Sequence, residues 1–183
     1  MRAFLAVAIG IGIGIVGCAS PPNVDCHGHF AIGSDLTPFE RDRAREAMAR
    51  WNAFAGPETL AEAPESETCT VHMVTAQNLS ERLSQAEDQV SDEDRARLAS
   101  AKPGSFAFGD YSVRDGTIWL APFTDANGSP RADSLLHLAM HELGHGLGMA
   151  HTADPSGVMV AFEGTTAFSE DDHEECERIG VCR

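Results

Sequence analysis

Apolar positions along the chain fall into two periods, one helical and one alternating. Ala44, Ala47, Met48, Trp51, Phe54 and Ala55 recur at the spacing of one helix face. They follow Thr37-Pro38-Phe39-Glu40, a capping box with Pro at the first helical position, and they stop at Gly56-Pro57. The pattern predicts a helix over 38–55 packed against something flat. A second helix is predicted from Ser129-Pro130 through Leu135, Leu136, Leu138 and Ala139. A third is predicted from Ser169, with Glu170, Asp171 and Asp172 in its first turn, where the helix dipole favours acids, ending at Gly180.

The alternating stretches lie between them. His29–Ile32 is a short strand candidate, and Cys69–Thr75 is a longer one with β-branched residues. Ser105–Val113 and Thr117–Ala121 read as a hairpin turning at Asp115-Gly116. Asn78–Lys102 is polar, and its charges suit one or two exposed helices. Strand, helix, strand, hairpin, helix, helix gives an α/β or α+β sandwich with a mixed sheet.

The first residues change the domain count. Phe4–Val16 is an apolar run behind a single Arg2, shorter than the ~20 residues a bilayer-spanning helix needs, and it fits the apolar core of an export signal. Ile15-Val16-Gly17-Cys18 resembles the bacterial lipobox, whose cysteine is lipidated and becomes the new N-terminus. The expected organisation is therefore a signal peptide over 1–17, a lipidated Cys18 and tether over 18–25, and one catalytic domain over 26–183. Ala19 after the lipidated cysteine implies, in a Gram-negative cell, anchoring at the outer membrane.

Composition adds two constraints. Acids outnumber bases 28 to 13, and a formal charge of -15 argues against nucleic acid as a partner, since phosphate binding needs a basic surface. Cys26, Cys69, Cys176 and Cys182 in an oxidising compartment suggest two disulfides, with three connectivities open. None forms a Cys-x-x-Cys pair, which argues against a thiolate zinc site.

The chemistry lies in His141-Glu142-Leu143-Gly144-His145-Gly146-Leu147-Gly148-Met149-Ala150-His151. Four residues apart on a helix, His141 and His145 project from one face, one turn above the other. That spacing lets two imidazoles reach one Zn²⁺. Gly148 ends the helix and turns the chain, bringing His151 back as a third ligand. Three ligands leave a fourth position open, as in catalytic rather than structural zinc sites. Glu142 points away from the ligand positions and is placed to act on a water. Gly144, inside the helix, costs about 1 kcal/mol relative to Ala, which a plain helix carrying surface histidines leaves unexplained. His27, His29, His72 and His173 are isolated and read as surface or satisfied residues. His137, one turn before His141, reads as a core-edge histidine, because a fourth protein ligand would close the site.

HExxHxxGxxH followed by a methionine turn resembles the signature of the metzincin metalloproteases. Ser156-Gly157-Val158-Met159 lies at the distance of that turn, which implies that Met159 forms an apolar floor beneath the ligands. The element order over 26–183 is similar to the metzincin fold, and among metzincins to a reduced matrixin. The implied architecture is α+β: a mixed twisted sheet with a long backing helix, an active-site helix and a C-terminal helix. Matrixins usually carry Tyr-Pro after the turn methionine, where this chain has Val160-Ala161, and an Ala where it has Gly157. The propeptide cysteine switch and the matrixin structural zinc and calcium loops have no counterpart here, and Val160 departs from the astacin tyrosine.

The resemblance implies a zinc endopeptidase with Glu142 as general base, acting as a monomer on an extended peptide bound along an edge strand within Ser105–Val113. Pro155–Thr166 would wall the pocket for the residue after the cleaved bond. The metzincin layout also places the starts of the first two predicted strands side by side, which implies Cys26–Cys69 and leaves Cys176–Cys182. The alternative pairing ties the N-terminal segment to the C-terminus. Two other functions use the same residues: an inactive zinc-binding envelope lipoprotein, and a cell-wall amidase.

Overall fold

A computed structural model describes residues 26–65, 69–73, 107–112, 115–160 and 165–182. The export and lipidation segment, the polar stretch over 78–102 and part of the expected pocket wall (161–164) lie outside the described residues. Among the described residues, five strands and three helices follow in chain order: β1 His29–Ile32, α1 Pro38–Ala55, β2 Ala61–Ala63, β3 Thr70–Met73, β4 Phe108–Tyr111, β5 Ile118–Ala121, α2 Ala132–Gly146 and α3 Glu170–Arg178. No helix among the described residues is long and apolar enough to cross a membrane.

The sheet order is β2-β1-β3-β5-β4. β1 pairs in parallel with both β2 and β3, β3 pairs in parallel with β5, and β4 alone is antiparallel, at the edge. The mixed sheet and its antiparallel edge match the expected α+β architecture. β2 is an addition. The chain leaving α1 pairs first on the far side of β1, with His29 opposite Ala61, before it crosses to β3. The hairpin forms as expected, but its last pair is Tyr111 with Ile118, so the connection is longer than the two residues Asp115-Gly116.

α1 forms where its signals lie. Thr37 Oγ1 accepts from the Glu40 amide, and the Glu40 carboxylate accepts from the Thr37 amide at 2.6 Å. Its apolar stripe is buried apart from the half-buried Phe54, with Trp51 fully enclosed and its indole N–H donating to the Met140 carbonyl at 2.7 Å. That bond fixes α1 against α2 one residue before His141. α2 begins later than Ser129-Pro130 suggests, with Arg131 at the cap position, where its side chain makes no capping bond and instead pairs with Asp133 at 2.7 Å. The capping signal is consumed by a turn. Asp125 Oδ1 accepts from the amides of Asn127 and Ser129, and Pro130 bridges to Thr124. α3 begins at the expected cap, where Ser169 and Asp172 form a capping box.

Both disulfides are present as the family layout implied. Cys26–Cys69 joins the starts of β1 and β3 with a Cα separation of 5.8 Å, and Cys176–Cys182 closes the end of α3 at 5.2 Å.

Candidate metal centre

α2 supplies His141 and His145, and its C-terminal end determines where His151 goes. Gly148 has a φ of 93°, its amide donates to the His145 carbonyl, and the Met149 amide donates to the Gly144 carbonyl at 2.9 Å. This is a Schellman motif, which needs a left-handed residue and so favours glycine. The chain leaves it reversed. Thr152 then donates to the Met159 carbonyl at 2.9 Å and pairs with Val160, closing a loop that carries His151 at one end and Met159 at the other.

The three imidazoles converge through one type of atom. Nε2 of His141 lies 3.1 Å from Nε2 of His145 and 3.2 Å from Nε2 of His151, and the third separation is 3.1 Å. Nδ1 of His141 faces the Val158 carbonyl at 2.9 Å, and Nδ1 of His145 faces the Met149 carbonyl at 2.9 Å. A carbonyl only accepts, so both Nδ1 atoms carry the hydrogen, and in the neutral rings both Nε2 atoms present lone pairs to each other. Lone pairs that close repel unless a cation lies between them. Nitrogens at about 2.0–2.1 Å from a tetrahedral Zn²⁺ sit roughly 3.3–3.4 Å apart, close to the separations found. The donor set fits zinc, with each backbone carbonyl fixing a tautomer and ring orientation.

Electrostatics also keep these rings neutral. Burial, then the neighbouring His145, holds His141 well below the ordinary histidine range. Burial, then His151, brings His145 down to about 4. Burial lowers His151. Neutral imidazole is the ligating form.

Glu142 is buried and stands outside the three-histidine cluster. Its carboxylate lies against Gly109 of β4, so closely that a Cβ there would overlap it. β4 is the edge strand, so the acid stands against the sheet margin. Met159 is fully buried, and Gly144 is the reason it fits. A Cβ at Gly144 would overlap the Met159 sulfur and come within 2.8 Å of Trp51 Cζ2. His137 is outside the cluster, with Nδ1 2.8 Å from the Thr165 carbonyl. His72 pairs with Asp35 at 2.9 Å and stacks on Trp119, His173 lies on the surface near Glu177, and His27 and His29 are exposed.

The pattern reading missed the acid beneath the site. Asp172 is fully buried. Its Oδ2 accepts from the amides of Val158 and Ser169, each at 2.9 Å, and its Oδ1 from Thr152 Oγ1 at 2.8 Å and the Met159 amide at 3.3 Å. One carboxylate thus ties both arms of the methionine loop to α3. The same carboxylate approaches Gly157 too closely for any side chain there. The one available signal was the Ser169-x-x-Asp172 spacing, which reads as a helix cap and nothing more.

Comparison with known proteins agrees with this geometry. Residues 37–179 match the family model for matrixin. Interstitial collagenase of Bos taurus is 33% identical over 81 residues, covering 43% of this chain and 16% of that protein. A probable matrix metalloproteinase 095L of Invertebrate iridescent virus 3 is 33% identical over 61 residues, covering 33% of this chain and 16% of that protein. The matched region is therefore about one-sixth of the length of either relative.

Proposed function

The chain belongs to the matrixin family, and on that footing we propose that it is a zinc-dependent endopeptidase of the bacterial cell envelope. The observation that carries this reading is the cluster of three Nε2 atoms within 3.2 Å of one another, two of them with tautomers fixed by backbone carbonyls. A bound Zn²⁺ supplies Lewis acidity there, polarising a carbonyl and acidifying a water. Glu142 has the protein's part in the proton chemistry. Its carboxylate takes a proton from the attacking water and delivers it to the leaving amine. Burial beside Gly109 keeps that carboxylate at the edge strand, where an extended peptide would lie antiparallel to or alongside β4 through main-chain hydrogen bonds. Cys18 would hold the domain to the membrane by its lipid, with 19–25 as tether.

The test is cleavage of a peptide library by the zinc-loaded chain, with Glu142→Gln as control. Hydrolysis is expected to disappear in the variant while about one zinc per chain stays bound. Cleavage that survives in Glu142→Gln, or a wild-type chain that retains no zinc after loading, refutes the proposal.

A further inference from the structure

Behind His145 stands a chain of bonds that ends on a charge. His145 Nδ1–H donates to the Met149 carbonyl at 2.9 Å. That carbonyl shares its peptide unit with the Ala150 amide, which donates to Glu175 Oε1 at 3.1 Å. The same carboxylate is gripped by Arg178, with Nε on Oε2 and Nη2 on Oε1, both at 2.6 Å. The Arg178 bonds, with help from the Ala150 amide, hold the Glu175 carboxyl below the usual carboxylate range, so it carries its charge. The Glu175 side chain is only 14% exposed. The Met149–Ala150 peptide is thus sandwiched between an imidazole that donates to its oxygen and a carboxylate that accepts from its nitrogen.

An amide polarises along this axis. A negative charge at the N–H end draws the bond dipole further and leaves more negative charge on the carbonyl oxygen. A better acceptor at Nδ1–H makes Nε2 a more basic ligand, as carboxylates do when they touch ligand histidines directly. We propose that Glu175 is a positioning residue for the metal centre, acting through the Met149–Ala150 peptide to orient His145 and strengthen it as a ligand. The arrangement also sets the next residue, since Ala150 precedes His151. Arg178 orients the carboxylate through two bonds to its two oxygens. This inference rests on the zinc reading of the histidine cluster.

Direct neighbours of ligand histidines change metal affinity by about 10–100-fold, and a charge one peptide further away should act less, about three- to tenfold. The experiment uses the full chain loaded with zinc. Zinc retention is measured by competition with a chelator of known affinity, and the His145 Nδ1 proton is followed by NMR. Glu175→Gln keeps an acceptor of the same shape and removes the charge. It is expected to weaken retention three- to tenfold and to move the Nδ1 proton upfield. Glu175→Ala removes the acceptor as well and should weaken retention further. Glu174→Gln removes a neighbouring charge from the same helix and should change neither quantity. Retention and resonance unchanged in both Glu175 variants would overturn the inference. So would a loss of retention with an unmoved Nδ1 proton, or an equal loss in Glu174→Gln. A wild-type chain that binds no zinc would instead refute the function proposed above.

Discussion

Replacing Asp172 with Ala should be among the most damaging changes available outside the metal ligands. The carboxylate accepts from four donors, and two of them, the amides of Val158 and Met159, belong to residues that are fully buried. An alanine leaves those two amides without an acceptor. Each orphaned buried donor costs about 1–3 kcal/mol, so together they cost about 2–6 kcal/mol, before any loss at Ser169 or Thr152. Domains of this size lose roughly 2–4 °C of Tm per kcal/mol, so a fall on the order of 5–20 °C is expected. The damage should also reach the metal. Val158 O fixes His141, and Thr152 follows His151, so loosening their anchors relaxes two of the three ligands. Urea unfolding of the zinc-loaded wild type and Asp172→Ala, with zinc retention measured in parallel, tests both parts. Asp172→Asn should fall between them, because one amide oxygen can still accept while the NH₂ faces a donor. A loss below about 0.5 kcal/mol, the range of an ordinary surface substitution, would show that the carboxylate does not hold the loop.

Further outcomes follow from the same geometry. The three histidines have pKa values below the ordinary histidine value of 6.5 in the folded chain, so the unfolded chain binds more protons as the pH falls below that value. The metal-free domain should therefore lose stability between about pH 6.5 and about 4; a urea midpoint that is flat over that window would contradict burial of neutral rings. Gly144→Ala should destabilise by about 1 kcal/mol net, as overpacking against Trp51 and Met159 outweighs the helix preference of Ala; a more stable variant would refute the packing account. Removing Cys26–Cys69, which spans 43 residues, should cost about 4 kcal/mol on the chain-entropy estimate, against about 2 kcal/mol for Cys176–Cys182, which spans 6. Equal losses in the two Cys→Ser pairs, read by denaturant midpoints, would contradict that ordering.

What was legible in the sequence depended on how local its cause is. α1 could be read because its cap, its Pro and its stripe all lie within its own residues. The histidine cluster could be read because helical spacing and one glycine turn determine it. Ala61-Glu62-Ala63 carries no β-branched or aromatic residue, so nothing in it predicts a strand. It becomes one because β1 offers an edge as the chain leaves α1. The start of α2 was misplaced because Ser129-Pro130 is a true capping signal that a nearby Asp125 turn has already used. Asp172 and Glu175 were hidden for a related reason. In an acid-rich helix every carboxylate suits the solvent or the dipole, and only the packing of α3 under the loop turns these two toward amides.

That hidden role changes how the acidic C-terminal helix should be understood. Residues 149–160 form an irregular loop, and its amides cannot all be satisfied by a helix or a sheet ladder. α3 supplies acceptors for four of them: Asp171 to the Asp154 amide, Asp172 to Val158 and Met159, and Glu175 to Ala150. Short carboxylates at the start of a helix are cheap to keep charged, because the dipole favours them there. Two of these acids lie in the first turn of α3, and Glu175, further along, has Arg178 in its place. The Cys176–Cys182 bridge and the Gly180 reversal then hold the far end of the same short helix. A nine-residue helix would be marginal alone, yet here it is capped, bridged and bonded at both ends. Zinc binding and the integrity of α3 should therefore fail together, since the third ligand and the methionine floor are both suspended from that helix.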